Sequence, residues 1–295
     1  MKKMIIDEAF LSELEALQSL LKNNVAGSLG GNRRSKNLGS SCEFADYRDY
    51  VPGDDVTKID WNAYARFDKL YEKLYYDERQ MHTKIYIDVS RSMCQGTDEE
   101  KAEQAIRLAA AFAYLSVCEM DKVSIYAIRG NCLETVIESM VGKDAYLNCV
   151  NRLNVIEFSG DSAISEAIVP SAVGRGDGLS VILSDYLTDA DYEDAIQRLC
   201  EQKRDVLCVQ ILSREELNPQ IRGRMHLFDS EDGNKYFRKK IDKDVIRAYK
   251  DALAYVTDRI RLTCEASGAS YLMVAAHTPP TDVFLGQLTD MEVLK

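Results

Sequence analysis

The sequence predicts an α/β fold, in which a mostly parallel open sheet carries helices on both faces and follows a small N-terminal appendage of helix and strand. Two observations predict it. Apolar, β-branched runs alternate with helical patterns from residue 83 to the end, and two of those runs stop on an aspartate. The first 82 residues follow a different pattern, so we expect an appendage over residues 1–82 and a main domain over residues 83–295.

Length, composition and charge restrict the class of protein. The chain has 295 residues, of which 46% are hydrophobic, and this is enough for one large domain with a smaller appendage. Its net charge of −11 makes the average surface repel phosphate backbones. Two short basic segments, 32–36 and 238–240, lack the interleaved aromatic residues of a nucleic-acid platform. We therefore expect no nucleic-acid partner.

The sequence also indicates a compartment. Acidic residues interrupt the N-terminus before an apolar run of signal-peptide length develops, and no stretch approaches 18 apolar residues. The eight cysteines show no CxxC spacing, and several lie in apolar segments, which is typical of reduced core thiols. These features predict a cytoplasmic protein with no membrane span.

The appendage begins with an amphipathic helix. Residues 7–23 place five leucines on one helical stripe, and residues 24–41 are rich in Gly, Ser and Asn, which predicts a long loop or loose hairpin. The PGDD sequence predicts a turn after which Asp54 or Asp55 caps a short helix running toward Ala65. We expect Trp61, the single tryptophan, to anchor the core of the appendage.

A strand ends the appendage and leads into the main domain. Residues 70–77 alternate in polarity, so we expect this strand to pair with residues 84–89 as a hairpin. The elements that follow are helices near 98–120, 143–153, 162–171, 189–202 and 242–266, strands at 122–128, 133–137, 179–185, 205–213 and 270–276, a hairpin around 229–237 and a last helix within 279–288.

Polar side chains cluster where two strands end. The run KIYIDVSRS places Asp88, Ser90 and Ser92 after one strand, and VILSD places Asp185 after another. Ligands of open α/β sheets bind at the carboxyl ends of the strands, so these groups fall where a site is expected. Ser162 precedes a helix, where it can cap the helix and face the same crevice. These oxygen donors suit Mg²⁺ or Mn²⁺.

A simpler interpretation is also open for these residues. Asp88, Ser90 and Ser92 can form a loop network that holds no metal, because aspartate and serine side chains commonly bond to nearby backbone groups. Asp185 or Ser184 can likewise cap the turn after its strand. The three histidines lie far apart in the sequence, and each is more typical of a structural or surface position than of a ligand.

Two family resemblances rest on these residues. DxSxS after the first strand, a hydroxyl residue in a Gly-containing loop and a strand ending in aspartate resemble the metal-ion-dependent adhesion site of von Willebrand factor A domains. Ser162 stands where threonine is more common, but the hydroxyl is retained. The segment RDYVPGDDVTKIDWNAYAR and its continuation KLYEKLYYDE resemble the family called domain of unknown function 58, from about residue 31 to the end of the chain. That match rests on Arg48, Tyr50, Pro52, Gly53, Asp54, Asp55, Ile59, Asp60, Trp61, Ala65 and Arg66.

The resemblance implies a Rossmann-like domain that binds Mg²⁺ and recognises a carboxylate of a partner protein at an open coordination position. The implied ligands are Asp88, Ser90, Ser92, Ser162 and Asp185. Family members often work beside MoxR-type AAA+ ATPases, which are associated with remodelling or maturing client proteins. The resemblance implies no catalytic activity, so we expect a non-catalytic adaptor whose partner is such an ATPase or its client.

Two interpretations are open for the segment from Arg48 to Arg66. It either forms a second contact surface or locks the appendage to the main domain, and we expect Arg48 to pair with Asp54 or Asp60. The candidate contact residues are Arg48, Tyr50, Asp54, Asp55, Asp60, Trp61 and Arg66.

An enzymatic alternative comes from the aspartate at the end of the first strand. Haloacid-dehalogenase-like phosphohydrolases begin in the same way, with Asp88 as the reactive carboxylate. They usually carry a second aspartate two residues later as the general acid, and Ser90 occupies that position here. They also need a later lysine, which is absent from the start of the helix after Gly160. The chain lacks GxxxxGK[ST], so any ATPase activity must belong to a separate protein.

Overall fold

The computed structural model describes residues 5–28, 35–38, 44–77, 80–94, 100–171, 178–220, 223–228 and 236–289. These residues form two compact units. The larger unit contains the described residues up to 19 and from 81 onward, and the smaller unit contains those between 20 and 80. The second division lies next to the predicted boundary at residue 82, whereas residues 5–19 group with the larger unit. The division into an appendage over residues 1–82 and a main domain over residues 83–295 stays a prediction.

The regular elements follow each other in this order. The strands are β1 Ser35–Leu38, β2 Phe44–Asp49, β3 Tyr71–Asp77, β4 His82–Asp88, β5 Lys122–Arg129, β6 Cys132–Met140, β7 Leu179–Ser184, β8 Asp205–Leu212, β9 Gly223–Phe228, β10 Tyr236–Ile241 and β11 Ser270–Ala275. The α-helices are α1 Glu8–Ser28, α2 Trp61–Phe67, α3 Glu100–Cys118, α4 Lys143–Leu153, α5 Ile164–Ile168, α6 Glu193–Glu201, α7 Arg214–Leu217, α8 Lys243–Ser267 and α9 Pro280–Asp282. Short 3₁₀ turns cover Val56–Lys58 and Arg91–Cys94, and a π-helical turn covers Val283–Leu288.

The larger unit is built on a six-stranded sheet with the order β11-β8-β7-β4-β5-β6. All neighbours are parallel except β6, which runs antiparallel to β5 at the edge. If the six strands are counted along the chain, beginning with β4, the order is 3-2-1-4-5-6, which is that of the Rossmann fold. This confirms the predicted fold class. The order reverses between β4 and β7, so the switch point where such sheets bind ligands lies between these two strands.

Helices cover both faces of this sheet. On one face, α3 packs on β4 and β5 and also contacts α4, and on the other α6 packs on β8 and contacts α5 and α8. The central strands are buried along most of their length because both faces are covered. Alanines of α3 are fully buried, and this lets the helix lie close to the strands. The three-layer arrangement agrees with the alternating sequence pattern.

The N-terminal helix α1 packs into the core of the larger unit through its first turns. Phe10, Leu14 and Leu17 are buried, whereas Leu20, also on the predicted leucine stripe, is 47% exposed. The side chain of Asn154, just after α4, accepts hydrogen bonds from the backbone N–H groups of residues 5 and 6 and donates one to the carbonyl of Ile6. These contacts explain why the beginning of the chain belongs to the larger unit.

The smaller unit contains a three-stranded sheet of order β1-β3-β2, and both pairings are antiparallel. The predicted hairpin between residues 70–77 and 84–89 is therefore wrong, because β3 pairs with β1 and β2 while β4 pairs with β5 and β7. The alternating pattern identifies a strand with one solvated face, but it does not identify that strand's partner. Trp61 is 62% exposed, so the prediction that it anchors a core is also wrong.

Most other predicted elements form with small shifts in their ends. The predicted hairpin around residues 229–237 is formed by β9 and β10, although its turn lies outside the described residues. The predicted loop over 24–41 lies partly outside them, and α1 and β1 occupy the rest. Residues 32–34 and the side chains of both basic segments are also outside the described part. No helix in the described ranges has the length and apolar character needed to cross a membrane.

Candidate functional site

The loop after β4 groups one carboxylate and two hydroxyls at the carboxyl edge of the sheet. Asp88 ends β4 and is 2% exposed, and its Oδ1 accepts a 2.9 Å hydrogen bond from the backbone N–H of Ser90. The hydroxyl oxygens of Ser90 and Ser92 lie 2.9 Å apart. The aspartate-to-backbone bond holds the turn that brings the side chains of the DxSxS sequence together.

The neighbouring strand β7 supplies a second buried carboxylate. Asp185 follows β7 directly and is also 2% exposed. Its Oδ1 accepts a 3.0 Å hydrogen bond from the backbone N–H of Leu187, and the Ser184 hydroxyl accepts one of the same length from Tyr186, so the predicted capping of this turn occurs at both residues. Tyr186 is fully buried with φ 55°, a left-handed conformation that is costly for a bulky residue.

The second carboxylate affects the titration of the first. Burial first, and then the negative charge of Asp185, hold the pKa of the Asp88 carboxyl above its ordinary value. Hydrogen bonds from the Ser184 hydroxyl, at 2.6 Å, and from Ser90 act in the opposite direction but do not cancel this effect. Two buried acids beside each other are unfavourable unless a cation compensates them.

The third predicted loop lies against the DxSxS loop. The backbone N–H of Ser159 donates to the carbonyl of Val89 at 2.7 Å, and that of Arg91 donates to the carbonyl of Gly160 at 2.8 Å. Ser162 follows in the same loop and is 5% exposed. The structure therefore brings the loops of all five predicted metal ligands to one edge of the sheet.

The predicted capping role of Ser162 does not occur. Helix α5 begins at Ile164, and its N-cap is Ala163, which makes no side-chain capping bond. Ser162 instead sits one residue earlier, in an isolated parallel bridge with Gly130 at the end of β5. The bridge fixes the backbone of Ser162 at the sheet edge and leaves its hydroxyl outside the helix cap.

A buried lysine that the sequence analysis did not select also belongs to this edge. Lys101, in the first turn of α3, is 5% exposed, and its Nζ lies 2.9 Å from Oδ2 of Asp185 and 2.6 Å from Oε1 of Glu216. Burial lowers the pKa of the Lys101 ammonium, but the two carboxylates outweigh burial and raise that pKa above its ordinary value. A signal existed in the sequence, because Lys101 lies three, four and seven residues before buried Gln104, Ala105 and Leu108 on one helix face.

The donor set fits a small, hard divalent cation. The Ser90 and Ser92 hydroxyls share a hydrogen bond of 2.9 Å, and this separation also matches that of ligands on adjacent octahedral positions about 2.0–2.1 Å from Mg²⁺. The acids Asp88 and Asp185 are buried nearby, and the Lys101 ammonium lies 2.9 Å from Oδ2 of Asp185. Within the described residues, no three His, Cys, Asp or Glu side chains are grouped to hold a metal. The donors here are hydroxyls and two acids.

The smaller unit uses most of its predicted contact residues internally. Arg48 lies 2.9 Å from Asp54 and 2.6 Å from Glu72, so the predicted Arg48–Asp54 pair forms. The side chain of Asp55 caps the 3₁₀ turn at Val56 by accepting from the N–H of Thr57. The single predicted helix toward Ala65 is thus two elements, that 3₁₀ turn and α2.

Asp60 is buried and makes structural contacts within the smaller unit. Its Oδ1 caps α2 by accepting from the backbone N–H groups of Asn62 and Ala63, and its Oδ2 accepts from the Tyr47 hydroxyl at 2.8 Å and lies 3.3 Å from Nζ of Lys73. The Tyr47 hydrogen bond is the main reason that the pKa of Asp60 is lowered to about 2. The predicted pair between Asp60 and Arg48 is replaced by these contacts.

Three predicted contact residues remain to be placed. The backbone N–H of Tyr50 donates to the carbonyl of Leu70, which holds this residue against the start of β3. Trp61 and Arg66 lie on α2 and are exposed, and the Trp61 ring meets Tyr64 edge-on with 6.3 Å between centroids. Of the seven candidates, Trp61 and Arg66 are therefore the ones on an exposed helix.

Comparison with known proteins identifies the family. The family model described as "Protein of unknown function DUF58" matches residues 46–257. The chain belongs to the DUF58 family. This confirms the resemblance that the segment from Arg48 to Arg66 indicated. The matched residues of this DUF58 chain include β4, β7 and the loops that carry the candidate site.

The relatives and solved structures that match this chain share little sequence identity with it. Uncharacterized proteins of Mycobacterium tuberculosis and Mycobacterium bovis are each 24% identical to this DUF58 chain over 235 residues, covering 78% of it and 73% of the relative. An aerotolerance-related membrane protein from Bacteroides fragilis matches at a TM-score of 0.39 and 12% identity, covering 72% of this chain and 99% of that one. The SpRpn10 VWA domain matches at 0.38 and 9%, covering 71% and 95%. The assignment of the fold rests on the strand order of the DUF58 chain itself.

Proposed function

We propose that this DUF58 protein is a non-catalytic, cytoplasmic adaptor that binds a partner protein through Mg²⁺, or Mn²⁺, held at the switch point of its sheet. The partner is a MoxR-type AAA+ ATPase or that ATPase's client. The observation that supports this best is the pair of Ser90 and Ser92 hydroxyls, 2.9 Å apart, beside the buried acids Asp88 and Asp185.

The residues at the switch point have distinct tasks in this proposal. Asp88, Ser90, Ser92, Ser162 and Asp185 hold the ion directly or through water. When bound, the ion supplies positive charge and an open position for a carboxylate of the partner. Ser184 orients Asp88 through its 2.6 Å hydrogen bond, and the backbone bonds between the loops keep the hydroxyls in place.

Binding is favoured over hydrolysis for a specific reason. A haloacid-dehalogenase-like phosphohydrolase needs an acid two residues after the reactive aspartate, and Ser90 has no carboxyl to supply that proton. The site does contain a lysine, Lys101, but two carboxylates already hold its ammonium. The arrangement therefore favours a binding site.

The choice of partner rests on family membership and on charge. The chain belongs to the DUF58 family, whose members often work beside MoxR-type ATPases, and this is the reason for proposing such a partner. The net charge of −11 repels acidic partners in general, so a carboxylate that binds here needs the local positive charge of an ion. Exposed Trp61 and Arg66 offer a second contact of the kind enriched in interfaces.

A pull-down against the purified MoxR-type ATPase of the same organism tests this function. We expect the wild type to retain the ATPase in millimolar Mg²⁺ and to lose it in EDTA, and Asp88→Ala to fail in both. As a control, Glu166→Ala removes an exposed acid from α5 and should retain the ATPase. Equal retention by the wild type with and without Mg²⁺, or by Asp88→Ala, contradicts a metal-dependent adaptor.

A further inference from the structure

Lys101 links the acid after β7 to the acid in α7. Its ammonium bridges Asp185 and Glu216, which are separated by 31 positions in the chain and follow adjacent parallel strands, β7 and β8. The lysine itself comes from α3. Because Lys101 is 5% exposed and Asp185 is 2% exposed, solvent screens this contact poorly.

Glu216 is held in place independently of the lysine. Its Oε2 accepts a 2.7 Å hydrogen bond from the backbone N–H of Ser213, and its own N–H donates to the Ser213 hydroxyl at 3.2 Å, which together form a capping box at the start of α7. Oε1 is then directed to Lys101. The capping box thus fixes a carboxylate on the side of the ammonium opposite Asp185.

The two ends of this bridge differ in their surroundings. Asp185 shares its environment with Asp88, whose pKa it raises, and it belongs to the proposed ligand set. Glu216 has a side chain that is 22% exposed and lies outside that set. The Lys101 ammonium compensates the charge of Asp185 when no other cation is bound. If another cation binds Asp185, the ammonium still has Glu216 as a partner.

We propose that Lys101 is a built-in competitor of the divalent ion, and that Glu216 provides the alternative partner for its ammonium. In the absence of the ion, Lys101 neutralises Asp185. When the ion binds, Asp185 turns its charge toward it and Lys101 stays paired with Glu216. The Lys101–Glu216 pair therefore sets the metal affinity of the site, an inference that rests on the proposed metal-dependent function.

The two members of one ion pair should then shift the metal affinity in opposite directions. Lys101→Gln removes the competitor, and we expect it to bind Mg²⁺ at least tenfold more tightly than the wild type. Glu216→Gln leaves Lys101 with Asp185 as its only carboxylate, and we expect binding to weaken severalfold. Glutamine still serves at this position of a capping box, so α7 should be retained. A merely structural role would make both variants weaker.

Isothermal titration calorimetry with Mg²⁺ on the full chain measures these affinities, and thermal melting of the same proteins gives a second readout. We expect Lys101→Gln to melt lower than the wild type without metal, because two buried or half-buried acids lose their cation. Its melting temperature should rise more than that of the wild type on adding Mg²⁺. Lys101→Arg keeps the charge and should stay close to the wild type, and Arg107→Gln, which removes a charge from the same helix, should change the affinity less than twofold.

The outcomes separate this inference from the function on which it rests. Wild-type binding that is tighter in Lys101→Gln and weaker in Glu216→Gln supports both. Wild-type binding with both variants unchanged, or both weaker, overturns the competition and leaves the metal site intact. Binding by Lys101→Gln alone supports the competition and overturns metal dependence of the native protein. No binding by any protein overturns both. If Lys101→Gln does not fold, Glu216→Gln decides, since unchanged or tighter binding overturns the competition.

Discussion

The Ser184 hydroxyl donates a 2.6 Å hydrogen bond to Oδ2 of Asp88, and this bond joins the ends of two neighbouring parallel strands. Its position matters because the sheet order reverses between these strands, β4 and β7, at the edge where sheets of this kind bind ligands. The same hydroxyl accepts from the N–H of Tyr186, so one serine orients an acid and closes the turn after β7.

Ser184→Ala should destabilise the protein by about 1–3 kcal/mol, because it leaves a buried carboxylate oxygen with one donor fewer and the Tyr186 N–H without its acceptor. Urea unfolding at neutral pH measures this. Ser12→Ala, at an exposed position of α1, is the control and should change stability by less than about 0.5 kcal/mol. A Ser184→Ala protein as stable as the control would show that the hydroxyl does not support Asp88.

The lowered pKa of His82 leads us to expect that the protein loses stability in mild acid. Burial first, and then the positive charges of Lys84, Arg204 and Lys122, lower the pKa of His82 from its ordinary 6.5 to about 4, while its Nε2 lies 2.8 Å from the Ser124 hydroxyl. Since the unfolded chain binds the proton more readily, stability falls as the pH drops from 6.5 toward 4.

His82→Gln removes this titration and keeps a group able to bond to Ser124. We expect the difference in unfolding free energy between pH 7 and pH 4.5 to shrink by about 1–2 kcal/mol in the variant, a value reduced to allow for the partial exposure of the ring. Chemical denaturation at a series of pH values measures it. A variant that loses as much stability as the wild type over this range would contradict the buried, neutral histidine.

Two leucines of α1 differ in burial and should differ in cost. Leu17 is fully buried and Leu20 is 47% exposed. Leu17→Ala should therefore cost about 2–5 kcal/mol, and Leu20→Ala less than about 1 kcal/mol. Thermal or urea unfolding of the two variants provides the comparison. Similar losses in both would show that the first turns of α1 are not part of the core.

Trp61→Ala should leave the fold intact. The ring is 62% exposed, so its removal should cost less than about 1 kcal/mol, whereas truncating a core tryptophan costs about 3–5 kcal/mol. If Trp61 contacts the ATPase, the same variant weakens retention in the pull-down at unchanged melting temperature. A large drop in melting temperature would contradict the exposed position.

The sequence allowed the sheet edge to be predicted because strands carry strong local signals. Asp88 and Asp185 each end an apolar run, and parallel strands bring such ends to one edge whatever lies between them. The pairing of β3 was not predictable in this way. Its alternation shows one solvated face, but several strands can satisfy the backbone of such a segment, and tertiary contacts decide which ones do.

The burial of Lys101 and the exposure of Trp61 could not be predicted from residue type. A lysine on an alanine-rich helix is usually solvated, and its burial depends on Asp185 and Glu216, which are 84 and 115 positions away in the chain. A single tryptophan usually supports a core, but Trp61 begins the short helix α2 and is 62% exposed. For Lys101, long-range neighbours rather than the local pattern determine the environment.

The most direct test of the proposed function is a Mg²⁺ titration of the wild type and of a variant that combines Asp88→Ala with Ser90→Ala. Calorimetry measures the heat of binding, and thermal melting measures the change in melting temperature. The account predicts saturable binding and a rise in melting temperature for the wild type, and neither for the variant, while Glu166→Ala binds as the wild type does. Equal behaviour of the wild type and the double variant, with no saturable heat up to millimolar Mg²⁺, would contradict the metal site and leave the DxSxS loop as a hydrogen-bonded turn.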